Sequence, residues 1–254
     1  MASLRQAARR TGHDSSEQTA ALRWAMQGAV LVVVLALVVW AGWTLWNPQS
    51  FPLRSVRLTT PLEYVSQEEI RSVVAQYATA GFVRVDMDGM RERLETIPWV
   101  YRISLRRVWP DVIEVSVAEQ VPVARWEKGG LVNEHGEVFT PRNVEEQQHL
   151  PLFAGPDGSG KTIVEYHRQM REMVVAIGLQ LHRIELNERR AWSVEMGNGL
   201  LLALGRSDTY PRMQRFIRTY PQIIAPHLAE IERIDLRYTN GFAIRWRDGH
   251  APSA

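Results

Sequence analysis

Residues 152–162 read LFAGPDGSGKT, and Gly155, Gly160, Lys161 and Thr162 satisfy the phosphate-loop pattern GxxxxGK(S/T) at every position. A phosphate loop sits between a strand and a helix whose first amides face the phosphates. It also needs a parallel sheet with helical crossovers and a strand ending in a magnesium-holding aspartate. Ordinary turn chemistry accounts for the same residues: Pro156 to Gly160 is a run of turn formers, and Thr162 with Glu165 is a capping box. A cap at Thr162 starts the helix one residue too late for its amides to cradle a phosphate. The helix so opened carries Ile163, Tyr166, Met170, Val174 and Ile177 on one side. The one candidate for the aspartate strand, residues 231–235, is interrupted by Glu232 and Arg233 and runs into a hairpin. The stretch therefore reads as a capped helix entrance without nucleotide, and the fold has to be read from its flanks.

Upstream, residues 25–46 (AMQGAVLVVVLALVVWAGWTLW) hold no ionisable side chain. At about 1.5 Å per residue they reach roughly 33 Å, enough for a hydrocarbon core of about 30 Å. Trp24, Trp40, Trp43 and Trp46 stand towards the ends, where indole rings favour the water boundary. A cleaved signal would have a shorter apolar run and a small-residue cleavage site, whereas Trp43, Trp46 and Pro48 follow here. A retained transmembrane helix over 24–46 is expected. Arg5, Arg9, Arg10 and Arg23 precede it, against Arg54 and Arg57 after it, so residues 1–23 are expected in the cytoplasm and the bulk beyond the membrane.

The exported part opens with a strand at Leu53, Val56 and Leu58, closed by Pro61. Ser66 and Glu69 cap a helix with Ile70, Val73, Val74 and Tyr77 on one face, stopped by Gly81. A short helix with Met90, Leu94 and Ile97 follows, capped by Asp86 or Asp88. Trp99, Tyr101, Ile103, Leu105 and Trp109 then alternate with Arg102, Ser104 and Arg106, and Ile113, Val115 and Val117 return after a Pro110-Asp111 turn. The order is βααββ.

Beyond Val121 antiparallel hairpins with two inserted helices are expected, turning at Lys128 to Gly130, Asn133 to Gly136 and Gly197 to Gly199. For the last pair, IDLRYTNGFAIRW, a three-residue loop of Thr239, Asn240 and Gly241 keeps like side chains on one face. It pairs Tyr238 with Phe242, Leu236 with Ile244 and Ile234 with Trp246, sets Asp235 opposite Arg245, and asks Gly241 for a left-handed conformation. Arg212, Arg215 and Arg218, on one face of the helix after Pro211, read as a solvated face. Thirty basic against 28 acidic side chains, interspersed, give no nucleic-acid signal. The absence of cysteine excludes disulfides and thiolate metal sites. The seven histidines lie singly, with no HExxH or GxSxG, so no catalytic residue, metal or cofactor is expected.

The run 97–126 (IPWVYRISLRRVWPDVIEVSVAEQVPVARW), followed by LVNEHGEVF at 131–139, RRAW at 189–192, LGRSDTYPR at 204–212 and IDLRYTNG at 234–241, resembles the bacterial cell-division family FtsQ/DivIB. The likeness spans nearly the whole exported region, and GKT lies outside it. It implies an α+β protein: one N-terminal transmembrane helix, a polypeptide-transport-associated (POTRA) domain over 51–120, a C-terminal antiparallel β domain with inserted helices over 121–250, and a tail at 251–254. It implies a non-enzymatic scaffold of the division site in the inner membrane, linking early and late division proteins and binding FtsB and FtsL. The recruitment surface would correspond to Arg102, Leu105 and Arg107. FtsB binding would correspond to Arg190, Arg237, Tyr238, Asn240 and Gly241, with Asn240 where related sequences often have serine. A physical mechanism is available: the terminal strand at 242–247, with Ile244 and Trp246, can accept an extended partner along its free edge. Arg190 and Arg237 would pair with partner carboxylates, and Tyr238 would be an anchor or else core packed on Phe242. A POTRA-bearing secretion or envelope-assembly factor and a membrane-anchored nucleotide hydrolase are the alternatives.

Overall fold

The computed structural model describes residues 14–46, 53, 55–79 and 81–247. The basic residues Arg5, Arg9 and Arg10, the flanking Arg54 and the expected tail at 251–254 lie outside them. Helix α1 (Asp14–Trp46) begins well before the expected span, and its apolar part, Arg23–Thr44, is 22 residues long. None of that part is buried against protein. Apolar side chains exposed round the whole helix fit a single-pass membrane anchor and not a core helix, which buries at least one stripe.

The chain beyond it forms two compact units. The first contains β1 (Ser55–Leu58), α2 (Gln67–Ala78), α3 (Met87–Glu95) and most of β2 (Val100–Val108) and β3 (Val112–Glu119), with sheet order β1-β3-β2 and β1 parallel to β3. The expected order βααββ is met. The Ser66 side chain accepts from the Glu68 amide at 3.2 Å and Asp86 from the Gly89 amide at 3.0 Å, so both helices start at satisfied caps. Ile70, Val73, Val74, Met90 and Leu94 from the helices and Ile103, Ile113, Val115 and Val117 from the strands are all buried. Trp109, expected on the buried face, is 61% exposed because β2 ends at Val108; its ring edge rests on Phe82 at 5.0 Å.

The second unit comprises Glu63–Val65, Glu95–Arg102 and the chain from Ala118 on. Its nine strands are β4 (Pro122–Trp126), β5 (Leu131–Asn133), β6 (Val138–Phe139), β7 (Leu152–Ala154), β8 (Leu181–Leu186), β9 (Trp192–Met196), β10 (Leu201–Gly205), β11 (Ile231–Asp235) and β12 (Ala243–Trp246). They form one sheet in the order β12-β11-β10-β9-β8-β7-β4-β5-β6. The hairpins are antiparallel as expected, with Val194 opposite Leu202. The expected antiparallel domain with inserted helices also holds parallel pairs, β4 with β7, β7 with β8, and β10 with β11. Two of these joins are crossovers, through α4 (Gly160–Val175) and through α5 (Thr209–Thr219) with the short turns after it. Ile163, Met170 and Val174 of α4 and Met213 and Phe216 of α5 close over Phe153, Ile184, Val194, Leu202 and Ile234.

Helix α4 corrects the capping reading of Thr162 and Glu165. It begins at Gly160, directly after a turn in which the Ser159 amide and hydroxyl both donate to the Pro156 carbonyl, at 3.1 and 2.5 Å. Strand, loop, helix and parallel strand thus succeed one another as in a phosphate loop. What occupies the helix start is protein. A Cβ built on Gly160 would stand 2.2 Å from the Gly136 carbonyl oxygen, and one on Gly136 would stand 2.3 Å from the Lys161 nitrogen. The turn before β6 is packed directly against the first residues of the helix. Asp235, at the end of the candidate magnesium strand, is bound to Arg237 instead.

This contact makes a prediction with a definite sign. Helix propensity alone would make Gly160→Ala stabilising by about 1 kcal/mol. The Gly136 backbone cannot swing aside as a flexible side chain can, so a net loss of about 1–3 kcal/mol is expected in denaturant unfolding. Lys161→Ala, at an exposed position, should stay within about 0.5 kcal/mol of the parent. A Gly160→Ala protein more stable than the parent would show that the turn yields.

Candidate partner-binding site

Strand directions bring three loops to one end of the second unit's sheet: residues 187–191 between β8 and β9, residues 206–208 after β10, and residues 236–242 between β11 and β12. In the first, the Asn187 side chain accepts from the Arg189 and Ala191 amides at 3.0 and 2.9 Å. That turn holds Arg190 at φ 59° with its side chain exposed and no ion-pair partner among the described residues.

The loop 236–242 departs from the expected three-residue turn. Ile234 pairs with Ile244 and Asp235 with Ala243, so the register lies two residues from the expected one. A shift of two preserves the faces, so the expected alternation holds while the partners differ. The hairpin loop is longer and needs no bulge, so Gly241 is not left-handed. Leu236 is taken by β10, its amide donating to the Ala203 carbonyl at 2.9 Å. Tyr238 is 58% exposed and not packed on Phe242, which corrects its reading as core; Asn240 is exposed as well.

Two arginines hold this loop. Arg212 donates to the carbonyls of Leu204 at 2.6 Å and Arg237 at 3.1 Å. Arg215 donates to Thr239 at 2.8 Å and to Leu236 and Tyr238 at 2.9 Å. The reading of both as a solvated face is therefore wrong: a fork of fixed donors gathers carbonyls that a tight turn would have satisfied internally. Spacing put them on one face, but no complementary charge in the sequence announces a guanidinium that binds backbone.

Arg237 is engaged within its own chain. Its Nε and Nη2 donate to the Asp235 carboxylate at 2.9 and 2.6 Å, and its amide to Oδ1 at 3.0 Å. The Arg237 guanidinium hydrogen bond, working against partial burial, holds the Asp235 carboxyl below the ordinary aspartate range.

Among the described residues strand β12 is one of the two edges of the sheet, β6 being the other. The Arg247 amide donates to the Glu230 carbonyl at 2.7 Å, and alternation then turns the amides of Arg245 and Ala243 towards β11 and those of Ile244 and Trp246 away from it. The side chains of Phe242, Ile244 and Trp246 pack on the core, Trp246 with His227 edge-on at 6.1 Å. Ile244 and Trp246 thus offer backbone at the edge, not side chains. Elsewhere, Arg102 and Leu105 lie on β2, an edge strand of its sheet, with Arg102 exposed; the Arg107 guanidinium donates to the Val85 carbonyl at 2.7 Å.

Two family models match the chain: "POTRA domain, FtsQ-type" over residues 51–120, and "Cell division protein FtsQ/DivIB, C-terminal" over residues 124–237. Among curated proteins, the cell division protein FtsQ of Burkholderia pseudomallei is 36% identical over 226 residues, covering 87% of this chain and 90% of that protein. FtsQ of Xanthomonas campestris is 36% identical over 220 residues, 86% of this chain and 78% of its own. FtsQ of Coxiella burnetii is 31% identical over 205 residues, 81% and 84% respectively. These relatives are named as division proteins, not as enzymes. With both family domains in order behind an apolar helix and relatives matched along most of their length, the chain belongs to the FtsQ/DivIB family of cell division proteins.

Proposed function

We propose that this protein is a non-enzymatic scaffold of the division assembly, with a cytoplasmic N-terminus and both folded units beyond the inner membrane, that binds FtsB by strand addition at β12 and acts together with FtsL. The observation that carries the reading is the position of β12 at the end of the sheet, with the Ile244 and Trp246 backbone turned outwards. Unpaired edge strands are protected by charge, proline or a covering element, or they are used. A partner strand would gain main-chain hydrogen bonds of about 0.5–1.5 kcal/mol each. Arg190 and the exposed Tyr238 stand at the sheet end where such a strand would begin or finish, and Tyr238 is its anchor. Asn240 and Gly241 shape the loop between them. Arg237, held by Asp235, contributes a fixed surface and not a free fork. The edge strand β2, with Arg102, Leu105 and Arg107, serves recruitment to the assembly.

Proline is tolerated on an edge strand where its missing N–H faced solvent. Ile244→Pro should therefore leave the domain folded and lower affinity for the exported part of FtsB at least about tenfold, the loss of one or two such bonds. Ile244→Ala, which trims the same side chain and keeps the amide, should bind within a few fold of the parent. Equal binding by all three proteins in a titration would remove strand addition. Tyr238→Ala should weaken binding by about 2 kcal/mol in a folded protein, as loss of an aromatic anchor does; unchanged binding would make Tyr238 a bystander. A reporter enzyme active only outside the cytoplasm, fused to the C-terminus, should be active, and an inactive fusion would reverse the orientation.

A further inference from the structure

The outer face of the sheet changes character towards β12. On β8 its charges are paired, Arg183 with Glu127 and Glu185, and at the end of β11 Asp235, whose carboxyl also senses the Arg233 charge, is held by Arg237. At the edge they are not. Arg233 of β11 lies directly opposite Arg245 of β12, both exposed, and Arg247 follows two residues later on the same face. None of the three has a carboxylate within ion-pair distance among the described residues, and the neighbour of Arg233 on β10 is the exposed Leu201. Like charges placed opposite one another across a strand pair are destabilising. Here the repulsion sits at the β12 flank of the sheet, where a further strand could add.

We propose that the segment added to β12 is an acidic strand, with carboxylates at two alternate positions opposite Arg245 and Arg247. The inference rests on the strand-addition reading above and adds the chemistry of the partner. Alternation alone sets the geometry: residues two apart in the added strand share the face of Arg245 and Arg247, whether it runs parallel or antiparallel. Those carboxylates extend the row Arg233, Arg245 by the charge it lacks, while the intervening residues lie beside Ile244 and Trp246 and are apolar. A basic strand at the same edge would place a third like charge in that row, so the arginines also select against wrong partners.

The test uses the full chain in detergent micelles with three fluorescent ten-residue peptides in which valine alternates with glutamate, threonine or lysine. Anisotropy titration at low salt should show the glutamate peptide binding about tenfold more tightly than the threonine peptide, and the lysine peptide most weakly. The preference should shrink in 0.5 M salt, a condition of strong screening. Combining Arg245→Glu with Arg247→Glu should reverse the order. If the threonine and glutamate peptides bind alike while Ile244→Pro abolishes both, the acidic partner is wrong and strand addition survives. If Ile244→Pro leaves the peptides bound as tightly, strand addition itself fails. Binding by none of the three, or binding only after residues 248–254 are removed, also overturns the proposal.

Discussion

Two guanidinium groups on one helix fix the end of the sheet. Arg212 and Arg215 of α5 together hold the carbonyls of Leu204, Leu236, Arg237, Tyr238 and Thr239. Those carbonyls belong to the end of β10 and to the chain leaving β11, which lie side by side because the crossover through α5 makes these strands parallel. With its carbonyls tied to the helix, the loop cannot close as a tight turn. Consequently β12 starts only at Ala243, Tyr238 is left in solvent, and Ile244 and Trp246 come to the rim of the sheet. Hydrogen bonds to charged donors are worth about 1.5–3 kcal/mol each, so several on one short segment outweigh the small intrinsic preference of an Asn-Gly turn.

The same logic governs the glycine contact at the other helix. The sequence around Lys161 satisfies a nucleotide-binding pattern, and the local order of strand, loop, helix and parallel strand follows it too. Space separates pattern from function. Gly136 lies against Gly160 so closely that neither position can carry a Cβ without displacing backbone. The helix start thereby packs on a neighbouring turn, and the two glycines are explained by contact between two segments of the same chain.

Much of this was legible in advance, and the failures share a cause. The apolar helix, the βααββ order, the Ser66 cap and the strand faces follow from periodicities of 3.6 and 2, which any chain shows locally. Parallel neighbours such as β4 with β7 and β10 with β11 are joined through long connections, and no local pattern reports them. Register within the last hairpin failed by two residues for a related reason: alternation fixes the face, but the forks of α5, some twenty residues upstream, choose the partner. Trp109 was misplaced by extending a correct alternation past the strand's end. For the candidate site, resemblance implied the positions of Arg190, Arg237 and Tyr238, while the arginines that hold the neighbouring loop and those along the β12 edge needed three-dimensional placement.

What joins fold to the proposed function is the backbone of β12, at the edge of the sheet among the described residues and held in place from behind. Residue-resolved amide hydrogen exchange on the full chain, alone and with the exported part of FtsB, tests this most directly. The account predicts that the Ile244 and Trp246 amides exchange rapidly in the free protein and become protected in the complex, whereas those of Ala243 and Arg245 are protected in both. Protection of Ile244 and Trp246 in the free chain, or their continued rapid exchange in the complex, would contradict it.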